Sequence, residues 1–194
     1  MTGVATGDDT LRVRADRYST AQQRTAAVAL ELFGDHGVAG TSLQMIADRL
    51  GVTKAAVYHQ FPSKDDIVIA VLEVQLAPLE EAVDQAEQRG ETASSRHLLL
   101  ASMIDDVVAR RRVWRTLQSD PAFLRALDLH APSRHLWART YRFLVGDSTT
   151  PRDRVRSAVL SAAIGAVAHP FVADVDDATL AAELLAVAST FVDR

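Results

Sequence analysis

The chain has 194 residues, 48% hydrophobic and 24% charged, which is typical of a globular protein with one large or two small domains. It has no cysteine, which excludes disulfides and thiolate metal sites. The net charge of −4 argues against a protein that coats nucleic acid by bulk attraction, although residues 1–64 carry +1 and residues 65–194 carry −5.

Residues 1–18 are polar and show no apolar period, so we predict a flexible N-terminal arm. They lack the apolar centre of a signal peptide. No stretch approaches the roughly 18 uninterrupted apolar residues of a membrane span. The simplest expectation is a cytoplasmic protein without a membrane segment.

Helix signals begin directly after the arm. Ser19 and Thr20 are each followed three residues later by glutamine, so either begins a helix with a capping box. Gly37 is predicted to end that helix in the left-handed conformation. Thr41 and the glutamine three residues later predict the next helix, which Gly51 ends.

A short third helix and a long fourth follow. Thr53 is predicted to cap the third, which runs from Lys54 to about Gln60. Ser63 and the aspartate three residues later predict a long helix to about Arg89. Five further helices are predicted at residues 92–109, 110–119, 120–145, 150–170 and 176–191. No strand is predicted, so the fold class is all-α with about nine helices.

Three residues indicate how the second and third helices meet. Ala47 is small where the helices must pass closely, Gly51 supplies a turn with positive φ, and Val57 faces back to fill the gap. This spacing is typical of a helix-turn-helix, which holds its second helix outward. The alternative is a generic tight helical corner.

The polar positions around this turn are candidate DNA contacts. The N-terminal end of the third helix would meet base edges, and the Ala55 methyl would meet a thymine methyl. Tyr58, His59 and the groups at helix starts suit phosphate oxygens. Tyr58 packing on the long helix and a solvated His59 are the alternatives. The candidates are Thr41, Ser42, Gln44, Thr53, Lys54, Ala55, Tyr58, His59 and Lys64.

The run T-S-L-x-x-I-A-x-x-L-G-V-T-x-x-A-V-Y-x-x-F-x-S-K, preceded by Ala29 to Phe33 and Gly37, resembles the tetracycline-repressor (TetR) family. The resemblance covers about residues 24–68. The small pair Ala55-Ala56 departs mildly from the family's usual Gly-Thr. The resemblance implies a DNA-binding domain at 19–66 and a helical effector-binding and dimerisation domain at 67–194.

The resemblance also implies the partners. These are a palindromic double-stranded operator, a second copy of the chain, and a small, largely apolar organic effector that releases a repressor from DNA. No cofactor or metal is expected. Pairing would use the last two long helices, whose small apolar residues allow close approach. The alternative is that these stripes are intramolecular. The predicted interface residues are Val159, Ala162, Ala163, Ala166, Leu184, Ala188 and Phe191.

Large apolar residues on the central helices are the candidate effector contacts, because ligand pockets are mostly apolar with a few polar groups. The alternative is that they are ordinary core. The candidates are Leu99, Met103, Trp114, Phe123, Leu127, Trp137 and Tyr141.

Two other functions are compatible with an all-helical chain of this length. A helical enzyme would need a catalytic constellation, and the sequence holds no Gly-rich phosphate loop, His-Glu-x-x-His or Gly-x-Ser-x-Gly. A DNA binder without an effector differs only by lacking a ligand pocket. Arg12, Arg14 and Arg17 either follow the DNA backbone or form a solvated tail.

Overall fold

The computed structural model describes residues 12–147 and 150–192, and within them the secondary structure is helical without a strand. None of these helices is long and apolar enough to cross a membrane. The α-helices are α1 (Thr20–Gly40), α2 (Leu43–Leu50), α3 (Lys54–Gln60), α4 (Lys64–Arg89), α5 (Ala93–Ala109), α6 (Arg111–Ser119), α7 (Pro121–Leu129), α8 (Ala131–Val145), α9 (Pro151–Gly165) and α10 (Asp177–Ser189). The predicted all-α fold class is confirmed.

The helix starts follow local capping chemistry. Ser19 makes a complete capping box with Gln22, which satisfies two backbone N–H groups at the start of α1. Thr53 accepts from the Ala56 amide and so caps α3. Ser63 and Asp66 exchange hydrogen bonds at the start of α4, as their spacing predicted.

Three predicted helices differ from expectation. The helix predicted at 150–170 ends at Gly165 and is followed by two 3-10 turns, at Ala166–Ala168 and Pro170–Val172. Gly37 has a positive φ of 71° but an extended ψ of 164°, so it breaks α1 without ending it. The predicted helix 120–145 is two helices, because His130 is extended between α7 and α8. Pro132 lacks the N–H needed to bond back into α7, which explains the interruption.

The chain divides into two compact units. Unit 1 contains the described residues up to Pro78 together with Thr116–Leu136, and unit 2 contains Leu79–Arg115 and the described residues from Trp137 onward. This division differs from a boundary at residue 66. It assigns α7 and the first part of α4 to the same unit as α1, α2 and α3.

The core of unit 1 forms where α1, α2 and α3 pack on one another and α1 also meets α7. Phe33, Ile46, Val57 and Phe123 are at most 1% exposed there. The backbone N–H of Val38 donates to Asp120 Oδ2 at 2.7 Å, which joins the end of α1 to the start of α7.

Residues 12–18 belong to the folded part of unit 1. Val13 is buried, and a 3-10 turn spans Ala15–Arg17. The Tyr18 hydroxyl donates to Glu73 of α4 at 2.5 Å. This differs from the predicted flexible arm over 1–18, because Val13 is buried and Tyr18 is bonded to α4. Residues 1–11 of that predicted arm lie outside the described residues.

In unit 2, α10 packs against α5 and α9. The guanidinium of Arg139 on α8 is buried and pairs with Glu80, with Asp84 at 2.6 Å and with Glu87 at 2.6 Å. These carboxylates all lie on the second half of α4. A buried arginine is tolerated here because its donors have charged acceptors.

Candidate nucleic-acid interface

The turn between α2 and α3 has the geometry that the three-residue pattern predicted. Gly51 takes the left-handed conformation, with φ 69° and ψ 32°, and the Val52 N–H bonds to the Ala47 carbonyl at 3.0 Å. These are the marks of a Schellman ending, which turns the chain sharply after α2. Ala47 and Val57 are both 0% exposed, so they form the contact between the helices.

The opposite face of α3 is open to solvent. The first turn exposes Thr53, Lys54 and Ala55, and the next turn exposes Tyr58 and His59. The Lys54 ammonium lies 5.6 Å from the centre of the Tyr58 ring, a cation–π pair one helical turn apart. Tyr58 is 46% exposed, which favours the surface interpretation over packing on the long helix.

The start of α2 adds two exposed polar side chains to this surface. Ser42 caps α2 by accepting from the Met45 N–H at 3.2 Å. The Gln44 amide donates to the Asp48 carboxylate at 2.7 Å on the same helix. Both residues are accessible, although each is already engaged locally.

Thr41 and Lys64 do not lie where the sequence placed them. Thr41 is 1% exposed, and its hydroxyl donates inward to the carbonyls of Leu32 and Gly37. It therefore neither caps α2 nor presents its side chain to DNA. The Lys64 ammonium donates to the Val38 carbonyl at 2.9 Å and to the Thr41 carbonyl at 3.3 Å. Lys64 thus fastens α4 to the end of α1, where the last carbonyls of a helix can accept hydrogen bonds from a side chain.

The end of α3 is held by residues that the sequence analysis missed. The Gln22 amide donates to the Gln60 carbonyl at 3.1 Å, and the Thr25 hydroxyl donates to the Gln60 side chain at 2.8 Å. These bonds fix α3 against α1. The signal in the sequence was weak, because glutamine and threonine on a helix are most often solvated.

A buried carboxylate anchors the N-terminal segment. The Glu73 side chain is 0% exposed and faces Arg17 at 3.1 Å and His130 at 3.2 Å, in addition to the Tyr18 hydroxyl. Burial and the hydrogen bond to Glu73 raise the pKa of Tyr18 well above its ordinary value of 10.0. A lone glutamate within the apolar run from Ile67 to Leu76 was the available signal.

Two of the seven predicted dimer-interface residues, Val159 and Ala162, are exposed within unit 2, beside other exposed apolar residues of α9 and α10. On α9, Val155 is 62% and Val159 is 41% exposed, and Ala162 is exposed beside them. On α10, Val187 is 53% exposed. Ala188 does not fit the prediction: it is 1% exposed, because it lies on the face of α10 that packs within unit 2. The other four predicted interface residues are partly exposed, namely Ala163, Ala166, Leu184 and Phe191.

The seven predicted effector contacts fall into both units. Phe123 and Leu127 lie in unit 1, and the others lie in unit 2. Trp137 and Tyr141 stack in unit 2 with ring centroids 5.9 Å apart. Burial raises the pKa of Tyr141. The other three predicted effector contacts in unit 2 are buried, namely Leu99, Met103 and Trp114.

Unit 1 contains a cavity of about 600 Å³ between α4 and α7. Its wall is mainly apolar, and it includes Val68 and Ile69 of α4 and Leu129 of α7. The polar residues on the wall are Asp65, Arg125 and His130. The volume lies within the range of small-molecule sites. None of the seven predicted effector contacts lines this cavity.

Several known proteins are similar to this chain in sequence. Residues 26–71 match the family model described as bacterial regulatory proteins, tetR family. An HTH-type transcriptional regulator of Mycobacterium bovis is 32% identical over 132 residues, which are 68% of this chain and 47% of that protein. The HTH-type transcriptional regulator RutR of Escherichia coli is 37% identical over 70 residues, which are 34% of this chain and 33% of RutR. The chain spans less than half the length of these relatives.

Solved structures resemble nearly the whole fold. Native NalD, the secondary repressor of the MexAB-OprM multidrug efflux pump in Pseudomonas aeruginosa, matches 91% of this chain and 99% of its own with a TM-score of 0.67 and 23% identity. A TerR/AcrR-family regulator from Aquifex aeolicus matches 86% of this chain and 96% of its own with a TM-score of 0.66 and 17% identity. At these identities the likeness establishes the fold alone. The matched segment at residues 26–71 places this part of the chain in the tetR family of bacterial regulatory proteins, and the relatives that resemble the chain in sequence are HTH-type transcriptional regulators.

Proposed function

We propose that the protein is a homodimeric transcriptional repressor that reads a palindromic operator with α3 and leaves it when a small, largely apolar organic molecule binds. One observation carries the DNA-binding part: the exposed face of α3 presents Thr53, Lys54, Ala55, Tyr58 and His59 above a fully buried contact with α2. A helix held outward in this way is suited to the major groove.

Dimerisation is supported by the apolar face of α9 and α10. Val155, Val159 and Val187 are large apolar side chains left between 41% and 62% exposed within a single chain. A second copy would cover them, and small residues such as Ala162 allow close helix approach. Two α3 helices about 34 Å apart would then reach successive major grooves.

Release by a ligand is supported by the cavity between α4 and α7. Val68 and Ile69 lie on its wall, one helical turn after Lys64, whose ammonium holds the end of α1. A ligand that shifts the start of α4 would therefore move the α1–α2 junction. A coupling of about 1–3 kcal/mol between the two sites is enough for regulation. The seven predicted effector contacts remain a separate proposal for where the ligand lies.

The DNA-binding proposal is tested by placing a negative charge on α3. Ala55→Glu adds a carboxylate at the centre of the exposed face, where it would meet DNA phosphates. Ala93→Glu adds the same charge at an exposed position of α5 and is the matched control. Fluorescence anisotropy with labelled duplex DNA should show at least about a hundredfold weaker binding for Ala55→Glu only, because close like charges cost several kcal/mol.

Equal affinities of the two variants and the unaltered chain, at equal thermal stability, would contradict the proposal. The salt dependence of the unaltered chain provides a second readout. Its log affinity should fall linearly with log salt concentration, because phosphate contacts release counterions.

A further inference from the structure

A second cavity in unit 2 has a different character from the apolar one in unit 1. Its volume is about 430 Å³, and it lies where α5 ends and α6 begins, beside the segment between α9 and α10. Four arginines line it, namely Arg110, Arg111, Arg112 and Arg115. None of the proposed DNA, dimer or effector contacts is among the residues of its wall.

The concentration of positive charge is unusual for this part of the chain. Residues 65–194 carry a net charge of −5, yet residues 110–115 contain four arginines. Arg110 pairs with Asp106, and Arg111 pairs with Asp177 at 3.1 Å. Asp177 is the only carboxylate on the cavity wall among the described residues. The exposed Arg115 has no ion-pair partner among them.

Arg111 also gives the cavity a fixed wall. One of its guanidinium nitrogens donates to the Val175 carbonyl at 2.8 Å while another faces Asp177. These contacts tie the first turn of α6 to the segment that leads into α10. The other arginines are thereby placed around a defined concavity rather than on a featureless surface.

His169 adds a further donor to the wall of this cavity. Its Nδ1 accepts the Phe171 N–H at 3.2 Å. In the neutral ring the proton is therefore on Nε2, which is available as a donor to a ligand. Val108, Val113 and Val167 complete the wall with apolar surface.

We propose that this cavity binds a small organic phosphate, with the phosphoryl group held by Arg112 and Arg115 and the apolar part against the valines. Guanidinium groups bind phosphate oxygens through paired, charge-assisted hydrogen bonds. The first turn of α6 adds its positive helix end to the same region. A volume of about 430 Å³ accommodates a molecule of metabolite size. This site is separate from the proposed DNA, dimer and effector contacts. Its occupancy can be measured on the protein without DNA.

The test is isothermal titration calorimetry of the full chain with inorganic pyrophosphate at constant ionic strength. We expect saturable binding of one pyrophosphate per chain. Arg112→Gln with Arg115→Gln should weaken it at least about tenfold, because two charge-assisted contacts are lost. The control is Arg152→Gln with Arg154→Gln, which removes the same charge from exposed positions of α9 and should change binding less than about twofold.

The single variant Arg115→Gln alters only an exposed side chain, so it tests the site in a protein that folds normally. Equal weakening by both double variants would overturn the proposal, since it would reflect net charge alone. Succinate binding as tightly as pyrophosphate would overturn the phosphate assignment. Loss of duplex DNA affinity in the Arg112/Arg115 variant, without pyrophosphate binding to the unaltered chain, would also overturn it and assign these arginines to nucleic acid.

Discussion

The two lysines of the helix-turn-helix region have different surroundings. Those of Lys54 suit a contact with DNA, and those of Lys64 suit a role in stabilising the fold. Lys54 is exposed at the first turn of α3, whereas the Lys64 ammonium is bonded to the Val38 and Thr41 carbonyls. The sequence alone suggested DNA contacts for both. The position of Lys64 at a helix start is visible in the sequence, but its bonds to the end of α1 depend on how α1 and α4 pack.

Lys54→Ala should weaken binding to a specific operator by about 1–3 kcal/mol, or relax the preference at one base position. The thermal midpoint should stay unchanged, because no hydrogen bond within the fold is lost. Competition binding with operator and scrambled duplexes measures the first effect, and thermal unfolding measures the second. Lys64→Ala is the control, and it should instead lower the free energy of unfolding by about 1 kcal/mol, because it removes hydrogen bonds within the fold. Unchanged operator affinity of Lys54→Ala would remove Lys54 from base contact.

Tyr18 makes the stability of the fold sensitive to alkaline pH. Its pKa is raised in the folded state, so an unfolded chain loses this proton near pH 10.0 while the folded chain keeps it. The folded state then binds more protons, and stability falls as pH rises. The contribution is fully present below pH 10.0 and is lost above it. Tyr18→Phe should flatten this loss in urea unfolding measured between about pH 8 and pH 11. An identical pH profile for both proteins would contradict the assigned cause.

At the scale of helices, local chemistry predicted most boundaries. The capping boxes at Ser19 and Ser63, the Thr53 cap and the Gly51 turn depend on neighbours within a few residues, and the structure confirms all four. The errors arose where distant groups compete. Thr41 looked like a cap, but carbonyls of α1 take its hydroxyl.

Asp120 is the clearest case of one residue serving two elements. Oδ1 caps α7 through the Ala122 and Phe123 amides, and Oδ2 accepts the Val38 N–H from the end of α1. Its Asp-Pro signature predicted the cap alone. The second role could not be predicted, because it depends on how α1 and α7 pack.

Asp120→Ala should therefore cost about 2 kcal/mol of unfolding free energy, roughly one for the cap and one for the lost bond to Val38. Ser42→Ala removes only a cap, at the start of α2, and should cost about 1 kcal/mol. Urea unfolding of both variants measures the difference. Equal costs would show that the contact with Val38 adds nothing to stability.

At the scale of the whole molecule, the helix-turn-helix was predictable and the rest of the chain only in outline. The spacing of Ala47, Gly51 and Val57 determines how α2 and α3 pack on each other, so the predicted helix-turn-helix agrees with the structure. Ligand contacts depend on which helices enclose a cavity, and periodicity does not contain that information. The cavity of unit 1 is accordingly lined by Val68 and Ile69, which no sequence pattern singled out.

The dimer proposal is tested on the exposed face of α9. Val159→Glu should convert the dimer to a monomer, because the interface would bury an unpaired carboxylate. Leu98→Glu makes a comparable change at a residue of α5 that is 51% exposed and outside the proposed interface, so the dimer should persist. Sedimentation equilibrium distinguishes the two. A dimeric Val159→Glu protein, or a monomeric unaltered chain, would contradict the proposed interface.

If two copies of α3 read DNA together, the bound sequence is symmetric, and selection of bound sequences from random duplex DNA measures that symmetry. The unaltered chain should enrich a palindrome whose half-site centres lie about one helical turn, or a multiple of it, apart. Ala55→Glu should enrich nothing under the same conditions. Enrichment of a single asymmetric site, or the same palindrome from Ala55→Glu, would contradict the account.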